Sequence, residues 1–208
     1  MSPRPYRLDQ RQAAVDETRL RVLESARVLL ASASGYTAFT VEAVARAADV
    51  ARATVYYQFG TKTGLLEALC DTLAARGQMA GLAHAFTDPD PVAGLDRFVA
   101  SFGRFWAADR LATRRLRALA ALDPEVAAVI AGRDERRRQG LRVLIGRLVG
   151  AGRITGDQSA TAVRLLQTLT SFETFDSLVG PDRDLIEAIP LVTRLVHAVL
   201  SDDTVSDL

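Results

Sequence analysis

The chain has 208 residues, an apolar share of 49% and a formal net charge of +1. That length suits one compact protein with a small head and a larger body, with apolar content ample for a core. The near-neutral balance excludes binding of nucleic acid through bulk charge, and the single cysteine, Cys70, excludes a disulfide framework. The polar start MSPRPYRLDQRQ lacks the apolar run of a signal peptide. No stretch approaches the roughly 18 uninterrupted apolar residues of a membrane span, so a soluble, cytoplasmic protein is expected.

The distribution of charge says more than its sum. Residues 1–62 carry 9 basic and 6 acidic side chains and all four tyrosines, Tyr6, Tyr36, Tyr56 and Tyr57, whereas residues 63–208 carry 17 and 19. A mildly basic, tyrosine-bearing head and a mildly acidic body fit local rather than global contact with DNA.

In chain order, residues 1–16 hold two prolines and three arginines (Arg4, Arg7, Arg11) without apolar periodicity, which predicts a flexible arm. Helix one is expected over Glu17 to Ser34, with Val22, Leu23, Ala26, Leu29, Leu30 and Ala33 inward and Gly35 as its stop. Next comes TVEAVARAADVARATVYYQFGTKTGL, from Thr40 to Leu65. Val41, Val44, Ala45 and Ala48 recur at helical spacing, and Thr40 stands where a hydroxyl caps the first free N–H groups. Asp49-Val50-Ala51 interrupts the pattern. A second short helix, Arg52 to Phe59, buries Val55 and Phe59 and presents Arg52, Thr54, Tyr56, Tyr57 and Gln58 outward. Two such helices with a tight turn form a helix-turn-helix, whose second helix fits the DNA major groove.

A long helix is predicted from about Thr61 toward His84. Cys70 falls in its stripe with Leu66, Leu69 and Leu73, which reads as a buried, inert thiol. Thr87-Asp88-Pro89-Asp90-Pro91 marks a loop. Helices follow at about Val92–Ala108, Arg110–Leu122, Pro124–Ala151, Asp157–Val179 and Asp182–Leu200, with Pro124 suited to a first helical position. The expected fold is all-α with about nine helices: a flexible arm over 1–16, a helix-turn-helix DNA-binding domain over 17–62, and a helical body over 63–208.

The segment from Thr40 to Leu65 resembles the DNA-binding head of the tetracycline-repressor (TetR) family of one-component transcriptional regulators. The match runs through Thr40, Val41, Val44, Ala45, Ala48, Val50, Thr54, Val55, Tyr56, Phe59, Lys62 and Leu65. The chain departs from the family pattern at Asp49 for glycine, Ala51 for serine and Gln58 for histidine. The glycine position needs a positive φ, which Asp tolerates. The lost serine removes a hydroxyl at the start of the second helix.

The resemblance implies that Tyr57 and Thr54 lie near phosphates and that Arg52 and Tyr56 lie near base edges. Thr40 and Lys62 complete the implied DNA-binding set. Adjacent tyrosines on a short helix cannot both point into a core, and Arg is the commonest specific reader of guanine. Lys62 is the only lysine among the 26 basic residues. It sits in a first helical turn, where the helix dipole disfavours a cation unless a phosphate shares the site. The arm arginines fit a DNA-reaching arm as well as a segment without function. The run Arg133-Asp134-Glu135-Arg136-Arg137-Arg138 reads as a solvated face.

In the body, Phe98, Phe102, Phe105 and Trp106 form an aromatic stripe, and Phe172 and Phe175 lie beside Glu173 and Asp176. Plain core explains both clusters. The family houses its effector pocket in this body, however, which makes Phe102, Trp106, Phe172, Glu173 and Asp176 the candidate lining for a small apolar effector. The last predicted helix is apolar around most of its girth and needs cover on two sides. Pairing it with Asp157–Val179 in two subunits, as the family does, would form a homodimer interface including Leu165, Leu169, Leu195 and Val199. Pro190 would kink or divide that last helix.

His84 and His197 form no metal-ligand spacing, and there is no glycine-rich phosphate loop, G-x-S-x-G or Cys/His cluster. No catalytic residue, metal or cofactor is therefore expected. The residues and the resemblance together imply a dimeric DNA-binding regulator, a repressor on a palindromic operator that a small molecule releases. The alternatives are a regulator of the same fold without such an effector, and a helical enzyme or scaffold.

Overall fold

The computed structural model describes residues 4–32 and 39–201, and among these it contains helices and no strand. Eleven α-helices and two 3₁₀ turns are present among the described residues, against about nine helices expected. The chain forms two compact units. The head unit runs to Thr72 and takes in Arg114–Val129; the body unit comprises Leu73–Thr113 and the chain from Ile130 onward.

In the head unit, α1 spans Arg4–Ala31, so the backbone is already helical through most of the expected arm. The predicted stop at Gly35 and the side chains of Arg4, Arg7 and Arg11 lie outside the described residues. Val22, Leu23, Ala26 and Leu30 are buried, as their spacing predicts. Helix α2 spans Val41–Ala47 and is capped by Thr40, whose hydroxyl accepts from the Ala43 N–H at 3.1 Å. The turn after it contains Asp49 at φ 53°, the left-handed conformation anticipated for this position. Arg21 Nε donates to the Ala48 carbonyl at 3.1 Å, satisfying a group that the end of α2 would otherwise leave open.

Helix α3 spans Arg52–Phe59, and Ala51 gives its N-terminus no side-chain cap, the consequence expected from the missing serine. Val55 is its buried anchor. Helix α4 spans Lys62–Arg76, with Thr61 Oγ1 accepting from the Gly64 N–H at 2.9 Å. A Cβ on Gly64 would lie 2.1 Å from the Phe59 carbonyl oxygen, so only glycine lets α4 begin this close to the end of α3. Helix α4 also buries Leu65, Leu66, Leu69 and Cys70.

The predicted long helix from Thr61 toward His84 is broken. Helix α4 ends at Arg76; Gln78 takes φ 57°, a 3₁₀ turn covers Met79–Leu82, and α5 spans Ala83–Thr87. The break falls at Gly77, where a Cβ would sit 2.7 Å from the Phe105 backbone. Helix α6 spans Pro91–Ala108, with Asp90 as its cap and proline in its first turn. Helices α7 (Arg110–Ala120) and α8 (Pro124–Gly150) follow.

The predicted helix over Asp157–Val179 is two helices, α9 (Ser159–Leu169) and α10 (Phe172–Val179). Thr170 and Ser171 divide them. The Thr170 hydroxyl bonds back to the Leu166 carbonyl at 2.7 Å, and Ser171 caps α10 through the Thr174 N–H. The last segment opens with a 3₁₀ turn over Leu185–Ala188 and continues as α11 (Ile189–Ser201). Pro190 falls in the first turn of α11, where its missing N–H has no intrahelical partner to lose. The body core is built on Leu95, Phe98, Leu141, Leu144, Ile145, Leu166 and Phe175, all with relative exposure of 1% or less.

Candidate nucleic-acid interface

The outer face of α3 carries the groups expected of a reading helix. Tyr57 is 81% exposed and Tyr56 is 36% exposed, so neither ring is core. The Arg52 side chain is 59% exposed. It lies 2.6 Å from Glu42 Oε1 of α2 through Nη1, and Nη2 donates to the Tyr56 hydroxyl at 3.1 Å. The Tyr56 hydrogen bond, followed by the Glu42 charge, raises the Arg52 pKa further above its already high ordinary value. Thr54 is half-buried on the same helix. In the sequence Glu42 reads as an ordinary exposed position on α2, and only folding brings it to Arg52.

Gln58 departs from the expected outward face. Its amide donates to the Val15 carbonyl at 3.2 Å, and its own carbonyl accepts from Arg19 at 2.7 Å, so it ties α3 to α1. Phe59 is half-buried beneath the Arg19 guanidinium, 4.4 Å from the ring centroid. Helix α3 is thus held from behind by α1, which leaves Arg52, Tyr56 and Tyr57 as its open side.

Lys62 stands in the first turn of α4, as the spacing predicts, with two carboxylates for company. Its Nζ pairs with Asp123 Oδ2 and lies 3.2 Å from Glu125 Oε2, while the Thr63 hydroxyl reaches Glu125 Oε1 at 3.2 Å. Asp123 also accepts the backbone N–H groups of Glu125 and Val126 at 3.0 and 3.3 Å, capping α8. Burial works to lower the Lys62 pKa, but the bonds to Asp123 and Glu125 outweigh it and hold the pKa above its ordinary value. The Lys62 bond, opposed by burial and helped by the two backbone N–H groups, holds the Asp123 carboxyl below its ordinary value. Sequence spacing alone does not reveal this pairing, because 61 residues separate the partners.

In the body unit the structure brings together three of the five candidate pocket residues. Trp106 lies 5.7 Å from Phe102 and 5.9 Å from Phe172 between ring centroids, and its indole N–H donates to the Thr170 carbonyl at 3.1 Å. Glu173 is exposed, and Asp176 pairs with Arg110 Nε at 2.7 Å. The charged group beside the rings is instead Arg137, whose side chain is 3% exposed, which corrects the reading of residues 133–138 as a wholly solvated face. Its guanidinium donates to the Gln167 carbonyl and the Thr170 hydroxyl and lies 5.9 Å from the Phe102 ring centroid. The signal was present: Arg137 stands in register with the apolar stripe of Leu141, Leu144 and Leu148.

Of the candidate dimer residues, Leu195 is exposed, and Leu165, Leu169 and Val199 are half-buried. An open cleft of about 340 Å³ also lies in the body, lined by Arg76, Gln78, Arg104, Ala107, Asp184 and Ile186 among others. Among the described residues, no helix is long and apolar enough to cross a membrane.

A helix-turn-helix whose second helix presents an arginine and two tyrosines, in a chain completed by a helical body, has the layout of a DNA-binding regulator. Residues 22–69 match the family described as bacterial regulatory proteins, tetR family. The whole fold is similar to that of a TetR transcription regulator from Haloarcula marismortui, with 20% identity, a TM-score of 0.67 and coverage of 89% of this chain and 97% of that one. It is also similar to NalD of Pseudomonas aeruginosa, the secondary repressor of the MexAB-OprM multidrug efflux pump, with 20% identity, a TM-score of 0.67 and coverage of 89% and 96%. A transcriptional regulator from Saccharomonospora viridis, solved in complex with choline, shares 17% identity with a TM-score of 0.63 over 90% and 97% of the two chains. No curated protein matches the chain in sequence. The head over residues 22–69 thus matches the tetR family of bacterial regulatory proteins, and the chain as a whole has the fold of these solved structures.

Proposed function

We propose that this regulator is a homodimeric repressor whose paired heads bind a palindromic operator and whose body binds a small molecule that releases it. The observation that carries the reading is the open side of α3. Tyr57 is 81% exposed beside Arg52 and Tyr56, in a head that matches a DNA-binding family. In this reading Arg52 and Tyr56 face base edges, and Tyr57 and Thr54 face phosphates. Thr40 contributes at the start of α2, where its exposed hydroxyl caps the helix. Lys62 reaches a phosphate by exchanging its carboxylate partners for the DNA backbone.

Dimerisation is supported by apolar side chains left open on the last helices. Leu178 and Leu195 are 38% and 37% exposed, and Leu165, Leu169 and Val199 are half-buried around them in the sequence. The repressor sense draws on NalD and the small-molecule sense on the choline complex, both similar in fold.

One observation favours a second reading, a regulator without a small-molecule effector. Trp106 is 5% exposed, is bonded through its indole and is packed by Phe102, Phe105 and Phe172, as core is. Sequencing the genomic DNA fragments retained by the purified protein tests the main reading. Enrichment of an inverted repeat with half-sites about 10 base pairs apart, centre to centre, or a multiple of that, is expected; recovery of unrelated fragments only would overturn it. Trp106 fluorescence during a screen of apolar metabolites, read beside operator affinity, separates the two effector readings.

A further inference from the structure

Glu42, Arg52 and Tyr56 make a closed set on the outer face of the head. Glu42 is the second residue of α2, Arg52 the first of α3, and Tyr56 stands one turn further on. Arg52 Nη1 contacts Glu42 Oε1 at 2.6 Å, Nη2 donates to the Tyr56 hydroxyl at 3.1 Å, and the guanidinium carbon lies 5.3 Å from the Tyr56 ring centroid. The side chains of Arg52 and Glu42 are 59% and 47% exposed, so neither bond is needed to satisfy a buried group. Exposed ion pairs contribute little to stability, and this one is therefore weakly explained as a strut.

A role in reading DNA accounts for it better. A long, free arginine side chain loses rotamer freedom when it docks, and fixing its plane beforehand removes part of that cost. Two partners engage both Nη groups of Arg52. Of the five guanidinium N–H groups, three remain for O6 and N7 of a guanine. Meanwhile the carboxylate cancels most of the arginine charge, so a random phosphate gains little from it.

We propose that Glu42 is a positioning and specificity-determining residue: with the Tyr56 hydroxyl, it aims Arg52 at one base edge and withholds that guanidinium from phosphates. This inference rests on the reading of α3 as the DNA-reading helix.

The test takes the full-length protein and its Glu42→Gln and Tyr56→Phe variants through selection from a pool of random-sequence duplexes. Each is also titrated with one fixed duplex of arbitrary sequence over a range of salt concentrations. For Glu42→Gln, binding to the arbitrary duplex should tighten, and its salt slope should steepen by roughly one unit because one more cation now counts. Preference at a single base pair should fall roughly tenfold while the others hold. Tyr56→Phe should lose preference at that same base pair with the salt slope unchanged, since no charge is altered.

An unchanged selected sequence and slope for Glu42→Gln would overturn the proposal. So would a steeper slope with every base preference intact, or a uniform loss across all positions, which is the mark of a damaged head. If the unmodified protein enriches no sequence at all, the reading of the head itself fails and this inference goes with it. If it enriches an operator that Glu42→Gln selects equally well, only this inference fails.

Discussion

Tyr57 and Lys62 show how differently two residues of the proposed DNA interface are held. Tyr57 is 81% exposed, so Tyr57→Ala should leave the melting temperature nearly unchanged while weakening binding to all DNA sequences about equally. A fall in melting temperature of several degrees would mean that the ring is structural after all. Lys62 is bound to Asp123 and Glu125 and has two roles to lose. Lys62→Ala should cost roughly 1–2 kcal/mol of stability, between the values for exposed and buried pairs. It should also reduce the salt slope of DNA binding by roughly one unit. A lowered stability with an unaltered slope would show that the lysine stays with its carboxylates in the complex.

The Lys62–Asp123 pair also has a defined pH signature. The Asp123 pKa is lowered by Lys62, so its stabilisation is present above the unfolded carboxylate value of about 4 and is lost as pH falls through the folded value. The Lys62 pKa is raised, so its share is present below the unfolded value of about 10 and is lost as pH rises through the folded value. Asp123→Asn keeps an oxygen able to cap α8 but removes the charge. Its denaturation midpoint should therefore vary less with pH on the acid side than that of the unmodified protein, as a series of urea melts would show.

Among the elements, α3 and α4 meet at a close junction. The Gly64 position lies so near the Phe59 carbonyl that a Cβ would be 2.1 Å away, with backbone as the obstacle. Gly64→Ala must therefore push the start of α4 away from the end of the reading helix. Overpacking of this kind costs roughly 1–3 kcal/mol, and the displaced α3 should also weaken operator binding. A Gly64→Ala protein with unaltered urea midpoint and DNA affinity would show that the junction has slack. Helix boundaries elsewhere follow the same logic of close approach and local bonding. Gly77 against Phe105 ends α4, and the back-bonded Thr170 with the capping Ser171 parts α9 from α10.

For the molecule as a whole, the expected functional state is a pair. Leu195 is 37% exposed on α11, an apolar side chain that the proposed partner subunit would cover. Leu195→Glu should place a charge in the contact between subunits and yield monomers by light scattering. Since two half-sites are bound only when both heads are present, the same variant should bind a full operator no better than a single half-site. A monomeric unmodified protein at micromolar concentration would remove the basis for both expectations.

The all-helical fold, the capping Thr40 and the exposed tyrosines were legible from the sequence, because they depend on contacts within a few residues, while the left-handed Asp49 followed from the family resemblance. Helical spacing, cap chemistry and backbone sterics act locally, so a pattern of some ten residues is enough to specify them. The Glu42–Arg52 pair, the carboxylates around Lys62, the burial of Arg137 and the turn of Gln58 toward α1 were not. Each depends on a partner on another helix, and for Lys62, Gln58 and Arg137 that partner lies some 30 to 60 residues away in the chain. An arginine or lysine reads the same on a solvated face, in a buried bonded niche or beside a carboxylate. Packing chooses among these by deciding which charges lose water and which partners then replace it.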